Sequence, residues 1–209
     1  MRGLYLVTPN WDDTDRLLAA TEAGLRGGAV LVQYRHKEAP ATLRQEQGAA
    51  LLALCRRYRV PFVVNDHLDL AIALDADGVH LGGADGDLAH ARQVLGPTKI
   101  IGASCYGELP LALAAQQAGA SYVAFGGFYP SLVKQYSFVT QPGLLDEARA
   151  VMSVPIVVIG GMTVANAAPL VARGADMVAA ISSVYTAPRA QAAAQAFAAL
   201  FATPPKAAH

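Results

Sequence analysis

Short apolar runs alternate along the chain with longer segments whose apolar residues recur every three to four positions. The runs at residues 4–8, 29–34, 60–64, 78–81, 99–104, 121–125, 155–159 and 177–181 are nearly continuous in apolar residues, as expected of strands buried on both faces. The intervening recurrences predict helices at 14–26, 42–58, 68–74, 88–95, 108–117, 143–152, 163–173 and 189–201. Eight strand and helix units in strict alternation fit a closed parallel barrel, giving the fold class α/β, a single-domain (β/α)8 TIM barrel. Gly28-Ala29, Asp77-Gly78, Gly119-Ala120 and Gly174-Ala175 precede strands and mark a repeated tight turn from helix into sheet. An open doubly wound sheet is the alternative, but Tyr5-Leu6-Val7-Thr8-Pro9 lacks the glycines of a dinucleotide turn.

A length of 209 residues suits one domain, taken as residues 1–203 with a frayed tail at 204–209. Charged residues make up only 15% and the net charge is zero, so no basic stripe offers itself to nucleic acid. The same thin surface charge is compatible with burial of some surface in an oligomer. Cys55 and Cys105 have no metal-ligand spacing: Cys55 reads as a core residue of a helix, and Cys105 as a small neighbour of a site. The start of the chain has too short an apolar run for a signal sequence, and no run of eighteen apolar residues occurs. A soluble cytoplasmic protein with no membrane partner is expected.

Chemistry collects at the carboxyl ends of the strands, where a barrel of this kind carries its ligand site. Gln33, Arg35 and Lys37 alternate where the second strand ends, so in an extended chain an amide and two cations converge on one face. This is either an anion site or a polar strand end running into solvent. The third strand ends in Asn65 and Asp66, the fourth carries His80 and then Asp85, the fifth ends in Ser104, and Lys134 follows the sixth. Asp66 and Asp85, near cations suited to phosphate oxygens, fit Mg²⁺ shared between protein and a pyrophosphate. Asp66 equally suits a helix cap and His80 a buried, hydrogen-bonded histidine, while Asp75, Asp77 and Asp87 read as cap or turn residues. Gly160-Gly161 and Ser182-Ser183 could offer backbone N–H groups to a second, monophosphate group, or be simple turns. Two phosphate sites in one barrel point to a transferase that joins two phosphorylated pieces.

The segments YLVT (5–8), QYRHK (33–37), NDHLDLA (65–71), DGVHLGGAD (77–85), IGAS (101–104), GGFYPSLVK (126–134), VPIVVIGGM (154–162) and GADMVAAISS (174–183) resemble thiamine-phosphate synthase, also called thiamine-phosphate pyrophosphorylase, in that family's order. The resemblance implies a barrel that couples 4-amino-2-methyl-5-hydroxymethylpyrimidine pyrophosphate to 4-methyl-5-(2-hydroxyethyl)thiazole phosphate, releasing pyrophosphate by a dissociative route. It implies that Gln33, Arg35, Lys37 and Asn65 hold the pyrimidine pyrophosphate, that Asp66 and Asp85 carry Mg²⁺, and that Ser104 and Lys134 bind the departing pyrophosphate. Gly161, Ile181 and Ser182 would cradle the thiazole phosphate, with Ser131 touching the same substrate. Arg35, Lys37 and Lys134 would stabilise the leaving charge, and a homodimer is implied. The chain has Gly83 where the family usually has Gln, Tyr106 for His, Gly127 for Pro, and Ser131 and Val133 for Thr. A related thiazole tautomerase uses a histidine at the position of Gly127. That activity, or non-catalytic binding of phosphate ligands, is the alternative to the synthase.

Overall fold

The computed structural model describes residues 1–82, 87–131 and 137–202. Strands β1 (Gly3–Val7), β2 (Ala29–Tyr34), β3 (Phe62–Asn65), β4 (Gly78–Gly82), β5 (Ile100–Tyr106), β6 (Tyr122–Phe125), β7 (Ile156–Val158) and β8 (Met177–Ala180) pair in sequence order, all parallel. The pairing of β1 with β8 closes the barrel. Outside it lie α1 (Thr14–Arg26), α2 (Ala41–Tyr58), α3 (Leu68–Ala73), α4 (Leu88–Leu95), α5 (Leu109–Gln117), α6 (Gly143–Val151), α7 (Val164–Ala172), α8 (Ser182–Tyr185) and α9 (Ala190–Ala199). This is the (β/α)8 barrel expected from the alternation of runs.

Differences from the sequence reading are local. β3 begins at Phe62 because Pro61 has no N–H for the ladder, although its carbonyl still accepts from Val32 N at 3.1 Å. β5 continues past Ser104 to Tyr106 through an irregularity in its pairing with β6. β2 has the expected bounds and ends at Tyr34, with Arg35 and Lys37 just beyond it. α8 is a four-residue helix, too short to show a helical recurrence in sequence. At the turn before β4 the left-handed residue is Asp75, φ 50°, and Gly78 serves another need: a Cβ there would sit 1.9 Å from the Ile100 carbonyl oxygen.

Three of the turns that enter even strands share one device. Asp77, Ser121 and Asp176 give their backbone N–H to the carbonyls of Phe62, Ile101 and Ile156 at 3.0, 2.6 and 2.8 Å. Their side-chain oxygens accept the N–H of those same residues at 2.8, 3.0 and 2.8 Å. β3, β5 and β7 are thus each fastened at the start by the side chain leading into the next strand, which stabilises the end of the barrel opposite the strand tips.

Alternation along the strands gives two cores. Leu4, Leu6, Val32, Phe62, Val64 and their neighbours pack outward against the helices. Tyr5, Leu31, Val63, Tyr122, Val157 and Met177 fill the barrel interior. Cys55 and Cys105 are buried and unbridged in the outer core, so Cys105, next to Ser104 in sequence, faces the helices and not the barrel interior. Burial pushes both thiols up to about 12. Among the described residues no helix is long and apolar enough to cross a membrane.

Candidate active site

A cleft with about 960 Å³ of empty space, partly open to solvent, lies at the carboxyl ends of the strands. From β2, buried Gln33 reaches the floor, and Arg35 and Lys37 form the wall above it. Thr8 holds this strand end: its hydroxyl accepts from Arg35 N at 2.7 Å and donates to Arg35 O at 3.1 Å, while Thr8 N donates to Gln33 O at 3.0 Å. Backbone satisfied in this way leaves the Arg35 side chain to reach over the cleft rim, where Nη1 donates to Asn10 Oδ1 at 3.3 Å.

Asp66 follows β3 in a left-handed conformation, φ 63°, with its N–H on the His80 carbonyl at 2.9 Å. His67, not Asp66, occupies the capping position of α3, and it makes no side-chain cap. Asp66 is therefore not the N-cap residue of α3. The turn directs the Asp66 carboxylate to the cleft, where it accepts from Asn65 Nδ2 at 2.5 Å and lies 3.5 Å from Lys37 Nζ. A carboxylate and a cation this close at the rim can share an anion with a metal, the carboxylate through the metal and the ammonium directly.

Ser104 and Tyr106 enter from β5. Tyr106 has φ 53°, a genuine outlier for a bulky residue, fixed by the Gly126 N–H donating to its carbonyl at 2.7 Å. Across the cleft, Gly160 and Gly161 turn the chain out of β7, and Ile181 leads into α8, whose Ser182 and Ser183 also line the cleft. Gly161 requires glycine on two counts: φ is 60°, and a Cβ would stand 2.1 Å from the Pro130 carbonyl oxygen. Its own carbonyl is held by Asn166 Nδ2 at 2.9 Å, and Asn166 also completes the Thr163 capping box of α7. Ser131 closes this side.

Beneath the cleft, polar side chains cross the barrel interior. The Gln33 amide donates to the Tyr5 hydroxyl, which lies 2.6 Å from the Tyr122 hydroxyl; Tyr122 meets His80 Nδ1 at 2.9 Å, and His80 Nε2 meets Ser104 Oγ at 2.9 Å. Desolvation holds both phenols well above their usual pKa, so they are neutral. His80 is the buried, hydrogen-bonded histidine anticipated as one reading. Tyr5 and Tyr122 were not singled out from the sequence. Their only signal there is a tyrosine at an inward position of an otherwise apolar strand.

Every described residue expected at the site from sequence lines this one cleft. Asp85 and Lys134 lie outside the described residues, as do Gly83, Val133 and the tail at 204–209. Among the described residues there is no group of three or more histidine, cysteine or carboxylate side chains able to hold a metal ion.

The sequence matches the family described as Thiamine monophosphate synthase (TMP-TENI) over residues 4–184. The chain belongs to this family. It is similar to the thiamine-phosphate synthase of Janthinobacterium sp. (strain Marseille), with 61% identity over 97% of this chain and 98% of that one. It is also similar to that of Thiobacillus denitrificans, with 50% identity over 98% and 97% of the two chains. The solved structure of thiamine phosphate pyrophosphorylase from Pyrococcus furiosus superposes with a TM-score of 0.84 at 33% identity, covering 95% of this chain and 94% of that one. Gly127, expected from the resemblance to depart from the family pattern, has a clear structural footprint. Its φ is 80°, which proline cannot adopt, and a Cβ would come within 2.6 Å of the Phe138 ring. Thr140 secures the return of the chain beside it, donating through N to Gly127 O at 2.9 Å and through Oγ1 to Gly126 O at 2.5 Å.

Proposed function

We propose that the protein is a transferase that couples 4-amino-2-methyl-5-hydroxymethylpyrimidine pyrophosphate to 4-methyl-5-(2-hydroxyethyl)thiazole phosphate, giving thiamine phosphate and pyrophosphate. The observation that carries this reading is the facing of two anion walls across one cleft: Arg35, Lys37 and Asp66 on one side, Gly161 and Ser182 on the other. The names of the relatives supply the reaction, and the cleft has the charge distribution that reaction needs.

In this reading Gln33 and Asn65 contact the pyrimidine pyrophosphate, Arg35 and Lys37 grip its phosphates, and Ser104 and Lys134 take up the departing pyrophosphate. The exocyclic C–O bond breaks first, its electron pair leaving with pyrophosphate, and the thiazole nitrogen then bonds to the pyrimidine-methyl cation. No covalent nucleophile is called for, and Cys105 in the outer core offers none. Fixed cations around the leaving oxygens lower the barrier by electrostatic stabilisation, and the opposite wall keeps the thiazole nitrogen in line. Gly161, Ile181 and Ser182 hold the thiazole phosphate through backbone N–H groups, with Ser131 beside the same substrate.

Mg²⁺ belongs to the proposal. A cleft-facing Asp66 beside Lys37 fits an ion that uses one or two protein carboxylates and completes its shell with water and substrate phosphate. Asp66, with Asp85, would hold it. Bound there, the ion would neutralise charge on the departing pyrophosphate. A cytoplasmic homodimer is part of the same reading, supported by the thin surface charge and by exposed Ile72, Val94, Leu111 and Val151; sedimentation would test it.

The deciding experiment incubates the pure protein with both phosphorylated substrates and Mg²⁺ and follows thiamine phosphate and pyrophosphate by mass spectrometry. Stoichiometric formation of both products is expected. Absence of product at high enzyme concentration, with both substrates bound, would instead support a binding protein.

A further inference from the structure

The polar chain beneath the cleft has a direction. Gln33 Nε2 donates to Tyr5 Oη, and the arrangement that gives every hydrogen of the chain an acceptor sends the Tyr5 hydrogen to Tyr122, 2.6 Å away. In that arrangement Tyr122 gives its own hydrogen to His80 Nδ1, 2.9 Å away. With Nδ1 accepting, the ring hydrogen sits on Nε2, which faces Ser104 Oγ at 2.9 Å. Ser104 Oγ accepts there and keeps its own hydrogen for the cleft, which it lines. The rings are held rigidly: Tyr5 and Tyr122 meet edge to face at 5.7 Å between centroids, and His80 stacks on Tyr122 at 5.6 Å. Gly102, in register between His80 on β4 and Tyr122 on β6, leaves the space in which those two rings meet.

We infer that Tyr5, Tyr122 and His80 are positioning residues that fix the Ser104 hydroxyl as a hydrogen-bond donor to the departing pyrophosphate. No proton is transferred; the chain sets which way each hydrogen points before the substrate arrives. A hydroxyl already aimed at the developing charge avoids reorganisation during bond breaking. The inference rests on the pyrophosphate site proposed above.

Two measurements test it, and neither requires turnover. In protein labelled with ¹⁵N at histidine, long-range ¹H–¹⁵N spectra at pH 7.5 should show His80, assigned through His80→Gln, as the Nε2–H tautomer. An Nδ1–H tautomer or an imidazolium overturns the inference. Calorimetry with Mg²⁺ and inorganic pyrophosphate should show Tyr122→Phe weakening binding about tenfold, the scale of one hydrogen bond to a charged group. The same change in a Ser104→Ala background should have no further effect. Unchanged affinity, or equal loss in both backgrounds, overturns the inference, because a merely structural role would act without Ser104. If Tyr122→Phe does not fold, Tyr5→Phe carries the same cycle one link further away. Wild-type protein that binds no pyrophosphate overturns both this inference and the function. Protein with the expected tautomer and binding cycle but no thiamine phosphate product overturns the function alone.

Discussion

Replacing Gly102 by alanine tests how tightly the barrel interior is built around its polar chain. A Cβ at this position would lie 2.1 Å from Tyr122 Cζ, 2.2 Å from its hydroxyl oxygen and 2.5 Å from His80 Nδ1. Carbon atoms pack comfortably at about 3.5–4.0 Å, so the Tyr122 ring must move by about 1.5 Å. It cannot do so while keeping its hydroxyl 2.6 Å from Tyr5 and 2.9 Å from His80. Overpacking costs about 1–3 kcal/mol, and weakening one or both of these buried hydrogen bonds adds about 1 kcal/mol each. The sum, about 2–5 kcal/mol, corresponds to a fall in Tm of roughly 5–20 °C for a chain of this size. Gly143→Ala is the matched control, since a Cβ there meets nothing within 4 Å, and in a helix it should be neutral or slightly stabilising. Thermal and urea unfolding followed by circular dichroism would measure both. A Gly102→Ala protein within about 0.5 kcal/mol of the control would refute the reasoning, showing that the rings have room to move.

Gly161→Ala should raise KM for the thiazole phosphate by more than about tenfold while leaving pyrophosphate affinity nearly unchanged, because the collision with Pro130 O displaces only the phosphate cradle; equal effects on both ligands would contradict separate walls. Asp66→Ala should lower kcat by more than about tenfold at saturating substrates and raise the Mg²⁺ concentration needed for half activity, and unaltered steady-state kinetics would remove Asp66 from the metal site. The native thiols should resist alkylation at pH 8.5. Burial raises both to about 12, so thiolate is less than about one part in a thousand there, and stoichiometric labelling of folded protein within minutes would show that a thiol is accessible.

The barrel was readable because parallel strands buried on both faces leave continuous apolar runs, and helices between them leave a different period. The strand-end residues were readable for the same reason: polar side chains directly after such runs have to emerge at the rim. Asp66 was ambiguous in sequence, since Asn-Asp before a helix is also a capping signal; only its left-handed turn and the placement of His67 at the cap separate the two roles. The interior chain was illegible for a further reason. Its members come from five strands, and their contacts depend on the register of neighbours, such as His80 opposite Gly102 and Gly102 opposite Tyr122. A sequence read strand by strand shows the inward tyrosines but not what they meet. α8 escaped because four residues carry no period.

The strained backbone at the cleft explains why the site depends on turns as much as on side chains. Among the described residues four non-glycine residues have positive φ: Arg59, Asp66, Asp75 and Tyr106. Arg59 and Asp75 follow helices, where a left-handed residue is an ordinary way to satisfy the last carbonyls. Asp66 and Tyr106 end strands, so capping does not account for them, and a left-handed L residue costs about 1–2 kcal/mol. Each is locked by one backbone bond across the sheet, Asp66 N to His80 O and Gly126 N to Tyr106 O, and each side chain ends up in the cleft. The bond that fixes Asp66 ends on the carbonyl of His80, the residue whose ring orients Ser104. The carboxylate proposed for the metal and the hydroxyl proposed for the pyrophosphate are therefore referenced to the same point on β4. That shared reference couples the placement of the two groups through a rigid strand, which favours a preorganised site.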